Sequence, residues 1–324
     1  MSADPRMSVV LVTDRYETIR AVVQRLARQT VADRIELVIV APASAGTEPD
    51  PADVAPLQGH RVVEMADIVP LWRSRAAGMR ATTAPFITVG ETHALPSAEW
   101  AETVLAAFDA GHTVVVPGFA NANPSGALSW ANLISDYGRW SRALPGGETP
   151  GAPGHNSIFA RDVVEGLGER LDDLHKPGFD VGGAVREQGH VVWHEPRAVI
   201  YHINVTRLRG WFLERYCHAC VTATLRARSW SGSRRLVYIC GAPLIPPLIL
   251  RRMWPAYRAT RAAEAISPLT LACAAVGAVF MAIGEVMGLV RGARETQVRV
   301  AADTEIHKLD YTRRGARELA PDDV

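Results

Sequence analysis

Short apolar runs alternate with amphipathic segments along the first two-thirds of the chain. Ser8–Val12 is apolar throughout, as a buried parallel strand is, and in Glu17–Arg28 the apolar residues recur at helical spacing. Further strands are predicted at Ile35–Val40, Arg61–Met65, Phe86–Val89, Thr113–Val116, Val191–His194 and Ala198–His202, and further helices at Leu71–Thr82, Trp100–Phe108 and Gly178–Gln188. This alternation predicts an α/β fold whose sheet is largely parallel and flanked by helices.

Ligands of such sheets bind at the carboxyl ends of the strands, so the loops after Val12, Val40 and Val89 are the candidate binding loops. Residues 117–156 are rich in Gly, Pro, Asn and Ser. We predict a long loop here, interrupted by a helix near Leu128–Trp140. It is either an active-site lid or a surface irregularity.

The pattern changes after His202. Leu236–Leu250 is apolar but contains three prolines, and Ile266–Gly284 is an uncharged run of nineteen residues, near the length that spans a bilayer. Residues 207–261 hold eleven arginines and one acidic residue, Glu214, although the whole chain has a net charge of only +1. Arginines on both sides of the first run favour an interfacial or re-entrant segment with both clusters on the cytoplasmic face of the membrane. The second run is predicted as a span, half of a hairpin or a surface helix. The alternative is that both are core helices of a soluble domain.

These shifts predict three parts: a catalytic α/β unit in 1–206, a basic, membrane-associating helical region in 207–292, and a charged tail in 293–324, partly disordered. No secretory leader is expected, because residues 1–8 are polar and no apolar segment follows them directly. The near-neutral charge argues against a nucleic-acid partner. Four cysteines are too few for a disulfide scaffold, and Cys217 and Cys220 lack the second pair that a zinc site needs.

Five segments, in this order and at this spacing, resemble the inverting family-2 glycosyltransferases with a GT-A fold. They are SVVLVTDRYETIRAVVQRLARQT, VPLWRSRAAGMRATTAPFITV, GETHALPSAEW, GHNSIFARDVVEGLG and GFDVGGAVREQGHVVWHEPRAVIYH. The resemblance runs from about Ser8 to His202. It implies a GT-A (Rossmann-like) mixed, mostly parallel sheet flanked by helices, followed by C-terminal hydrophobic or amphipathic helices. It also implies transfer of a sugar from a nucleotide-sugar donor.

The segment GETHALP carries the implied metal site. Glu91 and His93 stand where the family has its Asp-x-Asp motif, and His202 matches a family histidine that can complete the site. Departure of a nucleoside diphosphate builds negative charge, which a divalent metal can stabilise. We therefore expect Glu91, His93 and His202 to hold Mn²⁺ or Mg²⁺, or to contact the diphosphate. The alternative is that a Glu-x-His site has lost metal dependence.

Two further positions follow from the resemblance. Asp180 matches the second residue of the family's Glu-Asp pair, the one assigned as catalytic base, although Phe179 replaces the first. A simple helix cap is the other interpretation of Asp180, and Asp172 and Asp173 are the alternative bases. Asn156 matches an asparagine of the acceptor loop and is either an acceptor contact or a turn residue.

The donor pocket is expected to use Thr13 and Asp14 after the first strand, together with Arg75 and Glu91. The carboxylate that the family has after the second strand is missing from Ala41–Ser44, and Ala76 replaces the asparagine of the family's Arg-Asn motif. The identity of the donor is therefore open.

Together these features predict a membrane-associated inverting glycosyltransferase of the cell envelope. Its acceptor would be a membrane lipid, a lipid-linked molecule or a glycan. The first alternative is a degenerate, non-catalytic GT-A-like binding or scaffold protein. A nucleotidyltransferase ranks third, because the loop Thr13–Glu17 has no glycine to cradle phosphates.

Overall fold

The computed structural model describes residues 4–264 and 266–313. The strands, in chain order, are β1 Met7–Val12, β2 Ile35–Pro42, β3 Gly59–Met65, β4 Phe86–Val89, β5 Ala94–Pro96, β6 Val114–Asn121, β7 Gly147–Thr149, β8 Ile158–Ala160 and β9 Val192–His202. The α-helices are α1 Tyr16–Ala27, α2 Pro51–Val54, α3 Leu71–Arg80, α4 Trp100–Asp109, α5 Ala127–Tyr137, α6 Arg161–Gly166, α7 Val181–Glu187, α8 Leu208–Arg226, α9 Gly232–Gly241, α10 Ile245–Ala263, α11 Leu269–Arg291 and α12 Glu295–Ile306.

The strands form one mixed sheet in the order β3-β2-β1-β4-β8-β6-β9-β5, and β7 pairs with β9. Strands β1 to β4 run parallel to their neighbours within this group, while β8 is antiparallel to both β4 and β6. Every residue of β1 is buried, as the continuous apolar run predicts for a parallel strand covered on both faces. The predicted architecture, a mixed sheet flanked by helices and followed by C-terminal helices, is confirmed.

The second half of the sheet differs from the prediction at β9. The predicted strands Val191–His194 and Ala198–His202 are one strand, Val192–His202, which pairs in parallel with β6. The register with β6 shifts between Pro117 and Gly118, so a β-bulge connects the two pieces. Sequence patterning reads a bulge as a break between strands, because the alternation of buried and exposed residues is interrupted there.

The long loop predicted for residues 117–156 is mostly ordered. Strand β6 continues to Asn121, α5 lies near the predicted helix, and β7 adds a short edge strand. The segment around Trp140 is held by a hydrogen bond, since the indole Nε1 of Trp140 donates to the carbonyl of Gly151 at 3.0 Å.

Helices α9 and α10, with the short 3-10 turn between them, make a continuous helical stretch, Gly232–Ala263. This stretch and α11 are both long and apolar enough to cross a membrane, with mean hydropathies of 1.3 and 2.0. They differ in packing: only 11% of the most apolar window of the first is buried, compared with 33% in α11. Helix α11 buries one face, which includes Ala274, Ala278, Gly284 and Gly288.

The charged tail predicted for residues 293–324 is helical over most of its described part. Residues 295–306 form α12 and residues 308–311 a 3-10 turn. The turn is tied to the segment after β9, because the backbone N–H groups of Thr206 and Arg207 donate to the carbonyl of Tyr311 at 3.0 and 2.9 Å. The C-terminal segment therefore belongs to the folded body. Residues 314–324 lie outside the described residues.

Gly78 sets the distance between α3 and the sheet. A Cβ at this position would press on the side chain of Val10 and lie 2.7 Å from that of Val40. We predict that Gly78→Ala lowers the free energy of unfolding by about 1–3 kcal/mol, because overpacking displaces the helix from β1 and β2. Chemical denaturation measures this change.

Gly241→Ala is the matched control, because nothing lies within 4 Å of a Cβ added there. Its stability should stay the same or rise slightly, since alanine is the better helix former. Equal stability of the two variants would contradict the packing of α3 described here.

Candidate functional site

Three strand ends bring the predicted metal ligands together. Glu91 follows β4, His93 precedes β5, and His202 is the last residue of β9. Strands β5 and β9 pair antiparallel with Ala94 opposite His202, and the amide of Ile203 donates to the carbonyl of His93 at 3.0 Å. The sheet register thus places residues far apart in sequence at one point.

The three side chains converge in the interior. The Nε2 atoms of His93 and His202 lie 3.1 Å apart. The Glu91 carboxylate lies 3.7 Å from His93 Nε2 and 3.6 Å from His202 Nε2. All three residues are buried, with exposures of 4% or less. The spacing of the three ligand atoms fits a single metal ion.

The neighbours of His202 decide which ring nitrogen carries its proton. Asn204 directs its amide Nδ2 to two oxygens, the side-chain carbonyl of Asn121 and the backbone carbonyl of His202, both at 3.0 Å. Its Oδ1 therefore faces His202 Nδ1, at 2.9 Å, and accepts a hydrogen bond from the Nδ1–H group. His202 Nε2 is left with a lone pair directed at the cluster.

The proton of the His93 ring is likewise held on Nδ1. The hydroxyl of Thr92 donates to the carbonyl of Ile306 at 2.8 Å, so its lone pair accepts from His93 Nδ1, 3.2 Å away. His93 Nε2 is therefore also unprotonated. Burial lowers the pKa of His202 to about 3 and that of His93 well below its usual value, which keeps both rings neutral.

Two lone pairs and a carboxylate thus face one another without a hydrogen between the nitrogens. Such an arrangement is repulsive unless a cation lies among the three atoms. Imidazole Nε2 atoms whose Nδ1–H groups are held by oxygen acceptors are the usual orientation of histidine metal ligands. The residues present therefore fit a divalent metal, and two imidazoles favour a transition metal over Mg²⁺.

Glu91 is also held from the other side. The hydroxyl of Tyr137 donates to its carboxylate at 2.9 Å, and the amide of Asn156 donates to it at 2.6 Å. Asn156 has a positive φ of 59°, which asparagine tolerates better than most residues. Burial and the charge of Glu305 raise the pKa of Glu91. A bound cation would lower that pKa again and keep the carboxylate ionised.

Arg75 and the C-terminal segment surround this centre with buried charges. Arg75 donates to the Glu305 carboxylate at 3.0 Å, and Lys308 lies 3.7 Å from the same carboxylate. Lys308 also pairs with Glu214 of α8 at 3.1 Å. His155 Nε2 stands 3.5 Å from Arg75, and burial lowers its pKa to about 3.

The expected donor contacts make hydrogen bonds within the protein. Thr13 is fully buried, and its hydroxyl donates to the carbonyl of Arg15 at 2.7 Å. Asp14 is bonded to His307 Nε2 at 3.0 Å. Arg75 is bonded to Glu305, as described above. Thr13 and Asp14 are therefore engaged within the protein, whereas Arg75 lines the cavity and keeps a buried Nε with no hydrogen-bond partner.

Asp180, the expected base, is the N-cap of α7. Its carboxylate accepts from the amide of Gly183 at 2.9 Å, and the residue is exposed. The preceding residue, Phe179, lines the main cavity. The alternatives Asp172 and Asp173 are paired with Arg80 and Lys176, at 2.7 and 2.8 Å.

A cavity of about 1040 Å³ opens above Glu91. Its charged floor is formed by Arg75, Glu91, Glu214, Glu305 and Lys308. Apolar side chains of α9, α10, α11 and the 3-10 turn between α9 and α10 also line it: Val237, Leu244, Ile245, Leu248, Met253 and Met281. The cavity therefore joins a polar reaction centre to the apolar helices.

Residues 8–168 match the sequence model of the family described as Glycosyl transferase family 2. The matched region contains Thr13, Asp14, Arg75, Glu91, His93 and Asn156, while His202 and Asp180 follow it. Glycosyl transfer is the activity that this match supports.

Two solved structures are among those that the chain matches. The mannosyltransferase PcManGT from Pyrobaculum calidifontis, in complex with GDP-Man and Mn²⁺, is 18% identical, with 95% of this chain and 88% of that chain covered and a TM-score of 0.49. S. aureus TarS, residues 1–349, is 12% identical, with coverages of 70% and 66% and a TM-score of 0.40. No curated protein matches the chain.

Several residues of the centre were not predicted. Glu305 and Lys308 lie in the tail, where the sequence shows no motif, and only the fold brings them to Glu91. Tyr137 and Asn204 are likewise placed by α5 and the segment after β9. His155 had a local signal, since it directly precedes Asn156 in the segment GHNSIF.

The role of Asn204 gives a test of the metal centre. We predict that Asn204→Ala weakens Mn²⁺ binding by about 10–100-fold, because the imidazole of His202 loses the acceptor that fixes its tautomer. Mn²⁺ affinity can be measured by electron paramagnetic resonance of the free ion.

Asn132→Ala is the matched control. Asn132 is a buried asparagine that bonds Trp211 Nε1 and the carbonyl of Val205, each at 2.8 Å. It should bind Mn²⁺ as the wild type does. Unchanged affinity in Asn204→Ala would contradict the assigned orientation of His202.

Proposed function

We propose that this protein transfers a sugar, with inversion, from a nucleotide-diphosphate donor to an acceptor that reaches the active site from the membrane. The observation that carries the proposal is the cavity above Glu91. Glu91 lines the cavity and converges with His93 and His202, and apolar side chains of α9, α10 and α11 line the same cavity. An acceptor with a polar end and an apolar chain fits such a cavity.

The reacting groups would divide the work as follows. Glu91, His93 and His202 hold a divalent metal, which would supply positive charge to the leaving diphosphate. Arg75 binds and orients a phosphate of the donor through its guanidinium. Asp180 accepts the proton of the acceptor hydroxyl as that oxygen attacks the anomeric carbon from the face opposite the diphosphate. This single displacement inverts the anomeric centre.

The membrane location is part of the proposal. Large apolar side chains are exposed along α9 and α10, with Leu236 at 60%, Val237 at 68% and Leu244 at 61%. Trp254 is 48% exposed on the same stretch. Arginines flank these residues, and each contributes about 1 kcal/mol beside anionic lipid. We infer that this surface lies on the cytoplasmic face of the membrane, where arginines are retained.

The donor and the base can be tested together. We predict that one of a panel of UDP-, GDP- and dTDP-sugars releases its nucleotide with Mn²⁺ and acceptor-containing membranes. Asp180→Asn should lower that rate by about 10²–10⁴-fold, since the general base is lost. Asparagine caps helices as well as aspartate does, so the fold of α7 should be retained.

Asp172→Asn and Asp173→Asn are the controls, because these residues are the alternative bases. Each forms an exposed or half-buried ion pair, with Arg80 and Lys176. They should retain full activity. Loss of activity in one of them, with an active Asp180→Asn, would move the base to that residue. Folded protein that neither binds nor cleaves any donor would instead support the non-catalytic scaffold.

Membrane attachment gives a separate prediction. Leu236→Glu combined with Leu244→Glu should weaken binding to anionic vesicles about tenfold or more, because two exposed leucines no longer enter the lipid. Vesicle co-flotation measures the bound fraction. Leu208→Glu is the matched control, since Leu208 is 52% exposed but lies on α8, outside this surface. Equal flotation of both variants would contradict the assigned surface.

A further inference from the structure

Helix α12 separates two groups of residues that a single donor would need to contact. One face of α12 and its following turn lines the cavity through Val298, Ala301, Ala302, Glu305 and Lys308. On the other side, Arg299 reaches Asp67 after β3 at 3.2 Å, and His307 reaches Asp14 after β1 at 3.0 Å. Arg75 and Glu91 line the cavity, whereas Thr13 and Asp14 lie outside its walls.

The C-terminal segment also occupies the polar groups of the expected donor contacts. The imidazole of His307 bonds both carboxylate oxygens of Asp14, at 3.2 and 3.0 Å. Glu305 bonds Arg75 at 3.0 Å, with side-chain exposures of 11% and 8%. A diphosphate would compete with the Glu305 carboxylate for Arg75, because both are anions that need the same guanidinium.

The contacts of α12 with the rest of the protein would allow the helix to detach. Its first two turns, residues 295–301, contribute no buried side chain. The buried apolar residues of α12 are Ala302 and Ile306, which pack in the core. Its other contacts include three ion pairs: Arg299 with Asp67, Glu305 with Arg75, and Lys308, in the following turn, with Glu214. A helix held by two apolar side chains and ion pairs opens at a lower free-energy cost than the core does.

A glycine lies at the position about which α12 would rotate. Gly292 connects α11 to α12 with a φ of 74°, a conformation that glycine adopts readily. Helix α11, on the other side of this residue, is packed against α8 along its buried face. Rotation at Gly292 would therefore move α12 without disturbing α11.

From these contacts we infer that residues 295–311 are a latch: they hold the donor site closed through Asp14 and Arg75, and the nucleotide donor displaces them to bind. The inference rests on the proposed function, since it requires a nucleotide donor. Because latch and donor exclude each other, the apparent donor affinity is the intrinsic affinity reduced by the fraction of molecules that are open. Holding the latch closed lowers nucleotide affinity, and weakening it raises that affinity.

A reversible cross-link tests the latch in the full chain. Asp67→Cys and Arg299→Cys, in a Cys240→Ser and Cys273→Ser background, place one thiol on each side of an ion pair that is about half exposed. A bismaleimide with a disulfide in its spacer joins the two, and a reductant releases them. UDP and GDP, each with Mn²⁺, are the titrated ligands, and calorimetry measures their affinities. The two single-cysteine variants, treated with the same reagent, are the controls.

We expect the cross-linked protein to lose nucleotide affinity by at least about tenfold and to regain it on cleavage of the spacer. His307→Ala should raise the affinity by about three- to tenfold, because Asp14 is freed. His60→Ala, an exposed histidine on β3, should leave it unchanged.

Equal affinity in the cross-linked and cleaved forms would overturn the latch and leave the glycosyltransferase function standing. If no form, including the wild type, binds either nucleotide or any sugar nucleotide of the donor panel, the proposed function is overturned and the latch with it. The two failures are therefore distinguishable within one set of titrations.

Discussion

Two imidazole nitrogens, His93 Nε2 and His202 Nε2, face each other at 3.1 Å with both lone pairs directed inward. Asn204 and Thr92 hold the protons on the opposite ring nitrogens, and burial opposes a second proton on either ring. The repulsion that results is relieved by a cation, and the Glu91 carboxylate completes its ligands. Much of the surrounding structure keeps these three side chains in place.

The elements that maintain this geometry come from the whole length of the chain. The register of β5 with β9 sets His93 beside His202. Tyr137 of α5 and Asn156 before β8 fix the carboxylate of Glu91. At the end of α12, the carbonyl of Ile306 accepts a hydrogen bond from the hydroxyl of Thr92. The C-terminal segment therefore contributes directly to the orientation of a metal ligand, which links the state of α12 to the state of the centre.

The sequence predicted the sheet well because its strands are buried on both faces and read as continuous apolar runs, as β1 does. It also placed Glu91, His93 and His202 together, since the resemblance aligned them with a known motif. It missed Glu305 and Lys308, because a charged helix without apolar periodicity gives no signal of burial; these residues are buried only through pairing with Arg75 and Glu214. Sequence patterning also divided β9 into two strands at its bulge, because the pattern along one strand does not show which strand pairs with it.

Replacement of the family's Asp-x-Asp motif by Glu-x-His fits the same physical account. A longer carboxylate and an imidazole still converge with His202 on one point, so the ligand count is maintained although the residue types differ. Two imidazole ligands change the preferred ion toward the transition metals. A change from Asp-x-Asp to Glu-x-His is thus compatible with metal binding at this position.

The central claim is that Glu91, His93 and His202 bind a divalent cation. Anomalous diffraction from crystals of the wild-type protein grown with Mn²⁺ tests it most directly. The account predicts an anomalous peak between His93 Nε2 and His202 Nε2, within bonding distance of the Glu91 carboxylate, with both imidazoles in the orientation described. Crystals with Mn²⁺ bound elsewhere, or with a hydrogen-bonded histidine pair and no peak at saturating Mn²⁺, would contradict it.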